Sequence, residues 1–346
     1  MPHLEAAYLD FCPDQSQAIA FASQTIADSG GPEAKGVALQ ARKFADQIEK
    51  ALSEEQRALL QRFSEGQLSA LMYRQMPCAA EAIPEYLPDI AALAQSPRCQ
   101  YLASRNQLLL ELARHRSFAF DIDNDGKQVR LVGNFKGGGH VPRLDEDPCL
   151  EVETSSHAGL RLGPHTEAPY NCSTISSNAH SPAPSALILT ARWNPANEPT
   201  TVFPLREILE RLGSLDTLAL TSTSFDFTRS DCFAHGQGNA GQAVSMLQFE
   251  PNGGFSIRYN SYRFSLNKHA CSAVARAFDS FQQALNTAQP LAFVLQPDSA
   301  LLINNSRALH GRDMVKDNRR LLIRQFGYSP FAVPLVLAED PLLVRG

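Results

Sequence analysis

The chain has 346 residues, of which 44% are hydrophobic and 19% charged, the balance of a globular protein that can bury a sizeable core. The net charge of -5 and the lack of a basic run with interleaved aromatic residues make nucleic acid an unexpected partner. No apolar stretch approaches the roughly 20 residues of a membrane-spanning helix, the first residues lack a signal-peptide pattern, and the seven cysteines are scattered without a CxxC pair, so we expect reduced thiols in a cytoplasmic protein.

The first third of the chain is predicted to be helical. Residues 13 to about 66 show helical spacing, with Asp14 as a cap and an interruption at Gly30-Gly31. Ser53-Glu54-Glu55-Gln56 has the form of a capping box, which predicts the start of another helix. A short strand is expected at 68–72 and a further helix at 102–115.

From residue 117 onward the pattern changes to short strands. Residues 118–122 and 128–132 flank Asp123-Asn124-Asp125-Gly126, which predicts a hairpin turn. Further strands are predicted at 159–163, 185–193, 215–221, 244–249, 254–260, 291–296, 299–304 and 320–327, and helices at 205–212 and 270–288. Many short strands favour a barrel or a two-sheet sandwich wrapped by helices. Because no repeat or low-complexity linker interrupts the chain, residues 1–346 are predicted to form one domain.

Three segments match known ligand-binding patterns only in part. The calcium-loop match that begins at Asp121 has Val132 where a bidentate Glu is required. The GxGxxG match at 236–241 follows no buried strand, and Gly137-Gly138-Gly139 lacks the Lys-Ser/Thr of a phosphate loop. These segments are interpreted as a turn and as flexible loops, the last of them a candidate lid. The other histidines considered as ligands are interpreted as loop or surface residues: His157, His180 and His235.

A candidate metal site begins at His165 and Glu167. In an extended segment these two side chains share one face, and they make two-thirds of the two-His, one-carboxylate site that holds iron(II). His-x-Glu alone is usually coincidence, so a third ligand is needed. His310 is the candidate, because it follows a strand-like apolar run and a polar turn.

Two arginines near the end of the chain point to anionic ligands. In a strand, Arg320 and Arg324 share one face with Leu322, while Leu321 and Ile323 share the other. Arginines that face a β core are costly unless each meets an anion, and a guanidinium binds a carboxylate with two parallel bonds. The segment therefore predicts carboxylate-bearing small molecules beside the metal.

Together these residues resemble the iron(II)/2-oxoglutarate-dependent dioxygenases of the taurine dioxygenase and clavaminate synthase-like superfamily. The resemblance covers roughly residues 117 to 328 and is sparse but ordered. The family pattern is His-x-Asp/Glu, a Thr after the next strand, a distal His-Gly-Arg and a late Arg-x-x-x-Arg. The positions that match it are His165, Glu167, Thr200, His310-Gly311-Arg312, Arg320 and Arg324, with Thr201 as the competing threonine.

The resemblance implies a mainly β fold with flanking helices. The core would be a double-stranded β-helix (jelly roll) at 116–330, after a mostly helical part at 1–115 and before a tail at 331–346. His165, Glu167 and His310 would be the catalytic iron(II) ligands, and Arg320 and Thr200 would bind 2-oxoglutarate. Oxygen is the second co-substrate, and succinate and carbon dioxide are the co-products.

The resemblance also bears on the substrate. Glu rather than Asp at 167 resembles the branch that hydroxylates free amino acids, and a carboxylate there argues against halogenation. Arg324 would bind the substrate carboxylate or form a structural ion pair, and Arg312 would aid the cofactor carboxylate or pair with Asp313. Arginine hydroxylases carry acidic residues near Asn260 and Tyr262, so these neutral side chains favour a neutral polar substrate, unless the segment is an ordinary strand.

The expected activity is hydroxylation of an unactivated carbon of a small amino acid or amino-acid-derived metabolite. Desaturation or cyclisation of a tethered or cyclic-peptide substrate is the alternative within the same chemistry. Outside it, the same three ligands would suit a metal-binding β-barrel without turnover or a zinc hydrolase, although a hydrolase has no evident use for Arg320 and Arg324.

Overall fold

The computed structural model describes residues 5–134, 161–168, 170, 175–176, 179–228, 241–250 and 254–346. Gly137-Gly138-Gly139, His157 and His235 lie outside these residues, as does the GxGxxG segment except for its last glycine. The helices are α1 (Pro13–Asp28), α2 (Val37–Ala51), α3 (Glu54–Ser64), α4 (Ile90–Ala94), α5 (Pro97–Leu112), α6 (Leu205–Leu209), α7 (Ser214–Ala219) and α8 (Ser272–Thr287). None of these described helices has the length and apolar character needed to cross a bilayer.

The strands belong to sheets of very different size. They are β1 (Ala6–Asp10), β2 (Ala70–Arg74), β3 (Arg116–Phe120), β4 (Arg130–Val132), β5 (Leu162–His165), β6 (Ala186–Trp193), β7 (Pro199–Pro204), β8 (Phe225–Phe227), β9 (Gly241–Val244), β10 (Leu247–Phe249), β11 (Phe255–Ile257), β12 (Phe264–Leu266), β13 (Leu291–Val294), β14 (Ala300–Asn304), β15 (Ala308–Arg312), β16 (Leu321–Tyr328), β17 (Val336–Glu339) and β18 (Leu342–Val344). The large sheet has nine strands in the order β1-β2-β14-β6-β16-β3-β18-β17, with β4 also paired to β16, and the small sheet has four in the order β13-β7-β15-β5.

The predicted helical segment at 13–66 forms α1, α2 and α3. The capping box at Ser53 is confirmed: the Gln56 amide donates to Ser53 Oγ at 3.1 Å, and the Ser53 amide donates to Gln56 Oε1 at 2.8 Å. The cap predicted at Asp14 was wrong, since α1 begins after Cys12 and Asp14 lies in its first turn. Pro13 occupies the first helical position, where its missing N–H costs nothing, so the N-cap is the residue before it, Cys12.

The N-terminal helices cover one face of the large sheet. Apolar side chains of α1, α2, α3 and α5 pack with buried residues of the sheet such as Leu9, Leu71, Ile188 and Leu302. Burial of this kind contributes about 25 cal/mol per Å² of apolar surface removed from water. The helices therefore fix the outer face of the large sheet and leave its other face for the small sheet.

The inner face of the large sheet packs against the small sheet. One apolar cluster joins Leu187, Leu189 and Leu322 of the large sheet to Val202 and Phe293 of the small sheet. The described residues thus form a mixture of helices and sheets, in which the large sheet faces the small sheet, rather than the mainly β fold that was predicted. The predicted alternation along β16 is also confirmed, because Leu322 faces this inner cluster while Leu321 and Ile323 pack in a separate cluster that contains Leu102 of α5.

Two predicted elements were wrong. Segments β3 and β4 do not form a hairpin; both pair antiparallel with β16, β3 through Phe326 and β4 through Leu322, so they lie end to end along one long strand. The turn signal between them forms a single 3₁₀ turn, Asn124–Gly126. The strand predicted at 215–221 is largely helix α7, since a short apolar run does not distinguish a strand from a buried helical turn.

Candidate active site

The two histidines lie side by side on neighbouring strands of the small sheet. His310 of β15 is the register partner of His165 at the end of β5, and their ring centroids are 4.2 Å apart. Both side chains are almost completely buried. The pairing of β15 with β5 therefore places His310 beside His165, although the two residues are far apart in the sequence.

Glu167 lies just beyond the end of β5 and completes the cluster. Its backbone amide donates to Asn305 Oδ1 at 2.8 Å, which fixes the chain after the strand. His310 Nε2 lies 3.5 Å from Glu167 Oε1, and the candidate ligand atoms of His165, Glu167 and His310 all lie within 4.8 Å of one another. Among the residues that the structure describes, this is the one cluster of its kind.

The protonation states suit a divalent metal. Burial, and then the proximity of His310, lower the pKa of His165 to about 3, so its ring is neutral at working pH. His165 Nδ1 donates to the Gly163 carbonyl at 2.9 Å, which leaves Nε2 as the free donor atom. Burial alone would raise the pKa of Glu167, but the Arg324 charge and the His310 contact outweigh it and hold that pKa well below its ordinary value. Two imidazoles and one carboxylate are the donor set of a facial iron(II) site.

Arg324 lies against the metal-ligand cluster rather than apart from it. Its Nη1 donates to both Glu167 oxygens at 3.1 and 3.2 Å, and its Nη2 donates to Asp123 Oδ2 at 3.1 Å. The guanidinium also stacks on the Phe326 ring, with 4.1 Å between its central carbon and the ring centroid. Of the two roles that the sequence left open for Arg324, the ion pair is present, and the side chain also lines the cavity in front of the cluster.

Arg320 and Thr200 meet at another wall of the same cavity. Arg320 Nη2 donates to Thr200 Oγ1 at 3.3 Å, and both residues are buried. The alternation of β7 buries Thr200 and leaves Thr201 half-buried, so Thr200 is the threonine brought to the arginine. Burial lowers the pKa of Arg320 to about 10, against the attraction of Glu198, so the guanidinium remains charged.

The predicted substrate segment reaches the cavity as well. Asn260 forms an isolated β-bridge with His165, and its Nδ2 donates to Tyr170 Oη at 3.2 Å. Tyr262 is half exposed, and its hydroxyl donates to the Arg161 carbonyl at 3.3 Å. Both side chains line the cavity, as does Arg312, whose Nη1 donates to the backbone carbonyl of Asp313 at 3.1 Å.

Several residues of the site were not found from the sequence. Asp123 and Arg130 line the cavity, Asn305 holds the Glu167 backbone, and Glu198 accepts the amides of Lys316 and Asp317 ahead of Arg320. The sequence pattern predicts a hairpin turn at Asp123, so its side chain was not predicted to face the cavity. Asn305 and Glu198 carry no local pattern that distinguishes them from loop residues.

No protein-family model and no curated protein sequence matches this chain. Its fold is similar to that of asparagine oxygenase solved with Fe(II), 2S,3S-3-hydroxyasparagine and succinate, with a TM-score of 0.71 and 16% identity over 98% of this chain and 99% of that chain. It is also similar to the non-heme iron oxygenase OrfP solved with Fe and alpha-ketoglutaric acid, with a TM-score of 0.69 and 19% identity over 93% and 94% of the two chains. Another OrfP structure holds Fe, succinate and (3S)-hydroxy-L-Arg, with a TM-score of 0.66 and 19% identity over the same shares. The likeness predicted from the sequence pattern is confirmed at the level of the fold.

Proposed function

We propose that this protein is an iron(II)/2-oxoglutarate-dependent oxygenase that hydroxylates a small amino acid or an amino-acid-derived metabolite. One observation carries the proposal: a single cavity is lined by the His165, Glu167 and His310 cluster and by two arginines, Arg320 and Arg324. A hydrolytic metal site needs only the cluster. The arginines add two places for anions, as a dicarboxylic co-substrate and a carboxylate-bearing substrate require.

Iron(II) would be held by His165, Glu167 and His310, which leave its other positions open to small molecules. When bound, the metal supplies oxygen activation coupled to the oxidative decarboxylation of 2-oxoglutarate. The overall reaction balances as substrate C–H, oxygen and 2-oxoglutarate going to substrate C–OH, succinate and carbon dioxide. Glu167 occupies the position that a chloride-binding halogenase must leave open, so hydroxylation is the reaction that this ligand set supports.

The far carboxylate of 2-oxoglutarate would bind to Arg320 and Thr200. The Arg320 Nε is buried and has no hydrogen-bond partner among the described residues, so the guanidinium keeps a donor for an incoming carboxylate. Thr200 Oγ1 already accepts from Arg320, and its hydroxyl hydrogen remains available to the same ligand. Burial makes these hydrogen bonds to a charged group stronger than they would be in water.

The substrate carboxylate would bind to Arg324, with the remainder of the substrate toward Asn260 and Tyr262. The structurally similar asparagine oxygenase and OrfP hold hydroxylated amino acids, which supports a substrate of that class here. Asn260 and Tyr262 are neutral and polar, which favours a neutral polar side chain on the substrate. The proposal includes a double-stranded β-helix core at 116–330 as one part of a single domain, as in the family that the sequence resembles.

The test is succinate release from 2-oxoglutarate with iron(II), ascorbate and air, across a panel of free amino acids. We expect stimulation by one or a few of them and a product whose mass is greater by one oxygen atom. A product that has lost two hydrogens instead would assign desaturation to the same site. Binding of zinc with hydrolytic activity and no succinate under any condition would contradict the proposal.

A further inference from the structure

Glu198 is a buried carboxylate outside the metal-ligand cluster. It lies immediately before β7, and its Oε1 accepts the backbone amides of Lys316 and Asp317 at 2.9 and 2.8 Å. An ionised carboxylate accepts such amide hydrogens more strongly than a neutral oxygen does. The two amides belong to the loop between β15, which carries His310, and β16. Glu198 therefore connects this loop to the start of a strand in the small sheet.

The backbone of Glu198 is fixed independently of that loop. Its amide donates to Asn194 Oδ1 at 3.0 Å, and Asn194 Nδ2 donates back to the Glu198 carbonyl at 3.0 Å. The same Nδ2 donates to the Leu295 carbonyl at 3.1 Å, and Asn194 is almost completely buried. The Glu198 carboxylate therefore projects from a backbone held by two reciprocal hydrogen bonds, and the loop takes its position from that carboxylate.

A closed ring of contacts runs from Glu198 through Arg320. The Asp317 amide donates to Glu198, and the Arg320 amide donates to the Asp317 carbonyl at 3.0 Å. The Arg320 side chain in turn donates to Thr200 Oγ1, and Thr200 follows Glu198 by two residues in the chain. The backbone of Arg320 and the hydroxyl that its guanidinium contacts are thus both connected to Glu198. Loss of the Glu198 contacts would let these two groups move relative to each other.

The charge of Glu198 offsets the charges of two buried arginines. Arg312 and Arg320 are both buried, and both line the cavity. Burial lowers the pKa of each guanidinium to about 10, and the Arg320 charge adds to this effect at Arg312. The Glu198 charge opposes the lowering of both pKa values. Since buried charges without a counter-charge are costly, Glu198 stabilises the two arginines in the free protein.

We infer that Glu198 is a positioning residue for the 2-oxoglutarate site, because it holds the β15–β16 loop where Arg320 contacts Thr200. This inference rests on the proposed function and adds a residue that the family pattern of His, Glu, Thr and Arg positions does not contain. Glu198 itself is not among the residues that line the cavity. Its effect on the co-substrate is therefore transmitted by Arg320 and Thr200, the two groups that would bind the far carboxylate.

The experiment compares two substitutions that separate position from charge. Glu198→Gln keeps an oxygen that is able to accept both amides but removes the charge, whereas Glu198→Ala removes both. The first readout is calorimetry of 2-oxoglutarate binding to the full chain loaded with manganese(II) in place of iron. We expect the dissociation constant to rise by at least about tenfold in Glu198→Ala and to stay within about threefold of wild type in Glu198→Gln. Both variants should unfold at a lower temperature than the wild type, because both lose the charge.

The second readout is hydrogen exchange of the loop at 313–319, which depends on no ligand. The Lys316 and Asp317 amides should exchange at least about tenfold faster in Glu198→Ala than in the wild type, and at nearly the wild-type rate in Glu198→Gln. With iron in air, Glu198→Ala should raise the KM for 2-oxoglutarate by at least about tenfold while kcat falls by less than about threefold, since the metal-ligand cluster is unchanged.

The matched control is Asp226→Ala. Asp226 Oδ1 also accepts two N–H groups, from the Ala243 amide and the Asn267 side chain, both at 2.9 Å, but it lies on β8 and does not line the cavity. This variant should leave 2-oxoglutarate affinity unchanged. If Glu198→Ala does not fold, Glu198→Asp keeps the charge and draws the oxygen back by one methylene, and it should weaken 2-oxoglutarate binding by at least about fivefold.

The possible outcomes separate the inference from the proposed function. Wild-type 2-oxoglutarate affinity in Glu198→Ala (or in Glu198→Asp, where that variant replaces it) would overturn the inference and leave the proposed function standing. Equal losses in Glu198→Gln and Glu198→Ala, or unchanged exchange of the loop in Glu198→Ala, would do the same. A wild type that binds manganese(II) but no 2-oxoglutarate would contradict both. If all variants bind as expected but no succinate forms in air, the inference stands and the proposed oxygenase activity falls.

Discussion

Arg320, immediately before strand β16 of the large sheet, donates to Thr200 on the small sheet across 3.3 Å, so this hydrogen bond links the facing sheets inside the cavity. The contact joins a charged donor to a hydroxyl in a buried setting, where bonds to charged groups contribute about 1.5–3 kcal/mol. A ligand that engages both groups would therefore be recognised by both sheets at once.

The Arg320–Thr200 pair predicts the 2-oxoglutarate requirement. Arg320→Met should raise the KM for 2-oxoglutarate by about tenfold to a hundredfold, because it removes a charged anchor. Thr200→Val should raise it by a smaller factor, since a neutral hydroxyl contributes about 1 kcal/mol. The measurement is initial-rate succinate release at varied 2-oxoglutarate, with Thr201→Val as the control, because Thr201 lies on the other face of β7. An unchanged KM in Arg320→Met would refute the assignment.

The metal-ligand cluster predicts loss of metal binding from single substitutions. His165→Ala or His310→Ala should abolish succinate release and reduce cobalt(II) affinity by at least about tenfold, because each removes one of only three protein ligands. Cobalt(II) serves as a visible-absorption probe for the iron position. His269→Ala is the control, since His269 is an exposed residue away from the site. Wild-type cobalt affinity in His310→Ala would show that the third ligand is another residue.

Arg324 predicts a pH dependence of metal binding. In the wild type the pKa of Glu167 lies well below its ordinary value, so the carboxylate stays ionised as the pH falls. Arg324→Met removes the attraction that opposes burial, and the pKa of Glu167 should rise. Protons will then compete with the metal at a higher pH, so the midpoint for loss of cobalt binding should move upward in the variant. Cobalt titrations between pH 7 and 5 measure this midpoint. Identical midpoints in the wild type and the variant would mean that burial and the other contacts alone set the pKa of Glu167.

His115 predicts a pH dependence of stability. Burial lowers its pKa to about 4, against a hydrogen bond to the Ala113 carbonyl, so the folded protein holds a neutral ring. The unfolded chain takes up the proton at a pKa near 6.5. The free energy of unfolding should therefore decrease as the pH falls from about 6.5 to about 4, by at most about 3 kcal/mol from this residue.

His115→Gln should remove that part of the pH dependence while it keeps an amide that is able to donate to the Ala113 carbonyl. Urea unfolding at several pH values measures the effect. His269→Gln is the matched control, because it makes the same substitution at an exposed position. A variant with the full wild-type slope would assign the acid sensitivity to other groups.

The residues that carry chemistry were more predictable than the elements that hold them. His165, Glu167 and His310 come together as predicted because a transition-metal site needs particular donor atoms, and those residue types stand out in a sequence. Arg320 and Arg324 were predicted to face the interior from the alternation of a strand, and both line the cavity, Arg324 from β16 and Arg320 from the position just before it. These inferences depended on local chemistry and on a period of two residues.

The missed features depend on contacts between distant residues. Asp123 lies in a turn by sequence, and only the register of β4 on β16 brings Arg130 and Arg324 to its oxygens. Strands β3 and β4 pair with β16 and not with each other as a hairpin, because β16 is long enough to pair with both. Helix α7 was missed because its six residues are too few for a helical period to be distinguished from an apolar strand.

The candidate metal ligands lie on the small sheet or just beyond the end of its strand β5, whereas Arg324 lies on β16 of the large sheet and Arg320 immediately before that strand. Leu187, Leu189 and Leu322 contribute to the apolar layer between the two sheets and also line the cavity beside Arg324. Under the proposed function, these leucines would form the apolar wall against which a substrate held by its carboxylate on Arg324 packs. If the protein is the proposed oxygenase, the shape of this wall would help to decide which carbon is oxidised, and a one-methylene change in one of these leucines would be a route to oxidation of a neighbouring carbon.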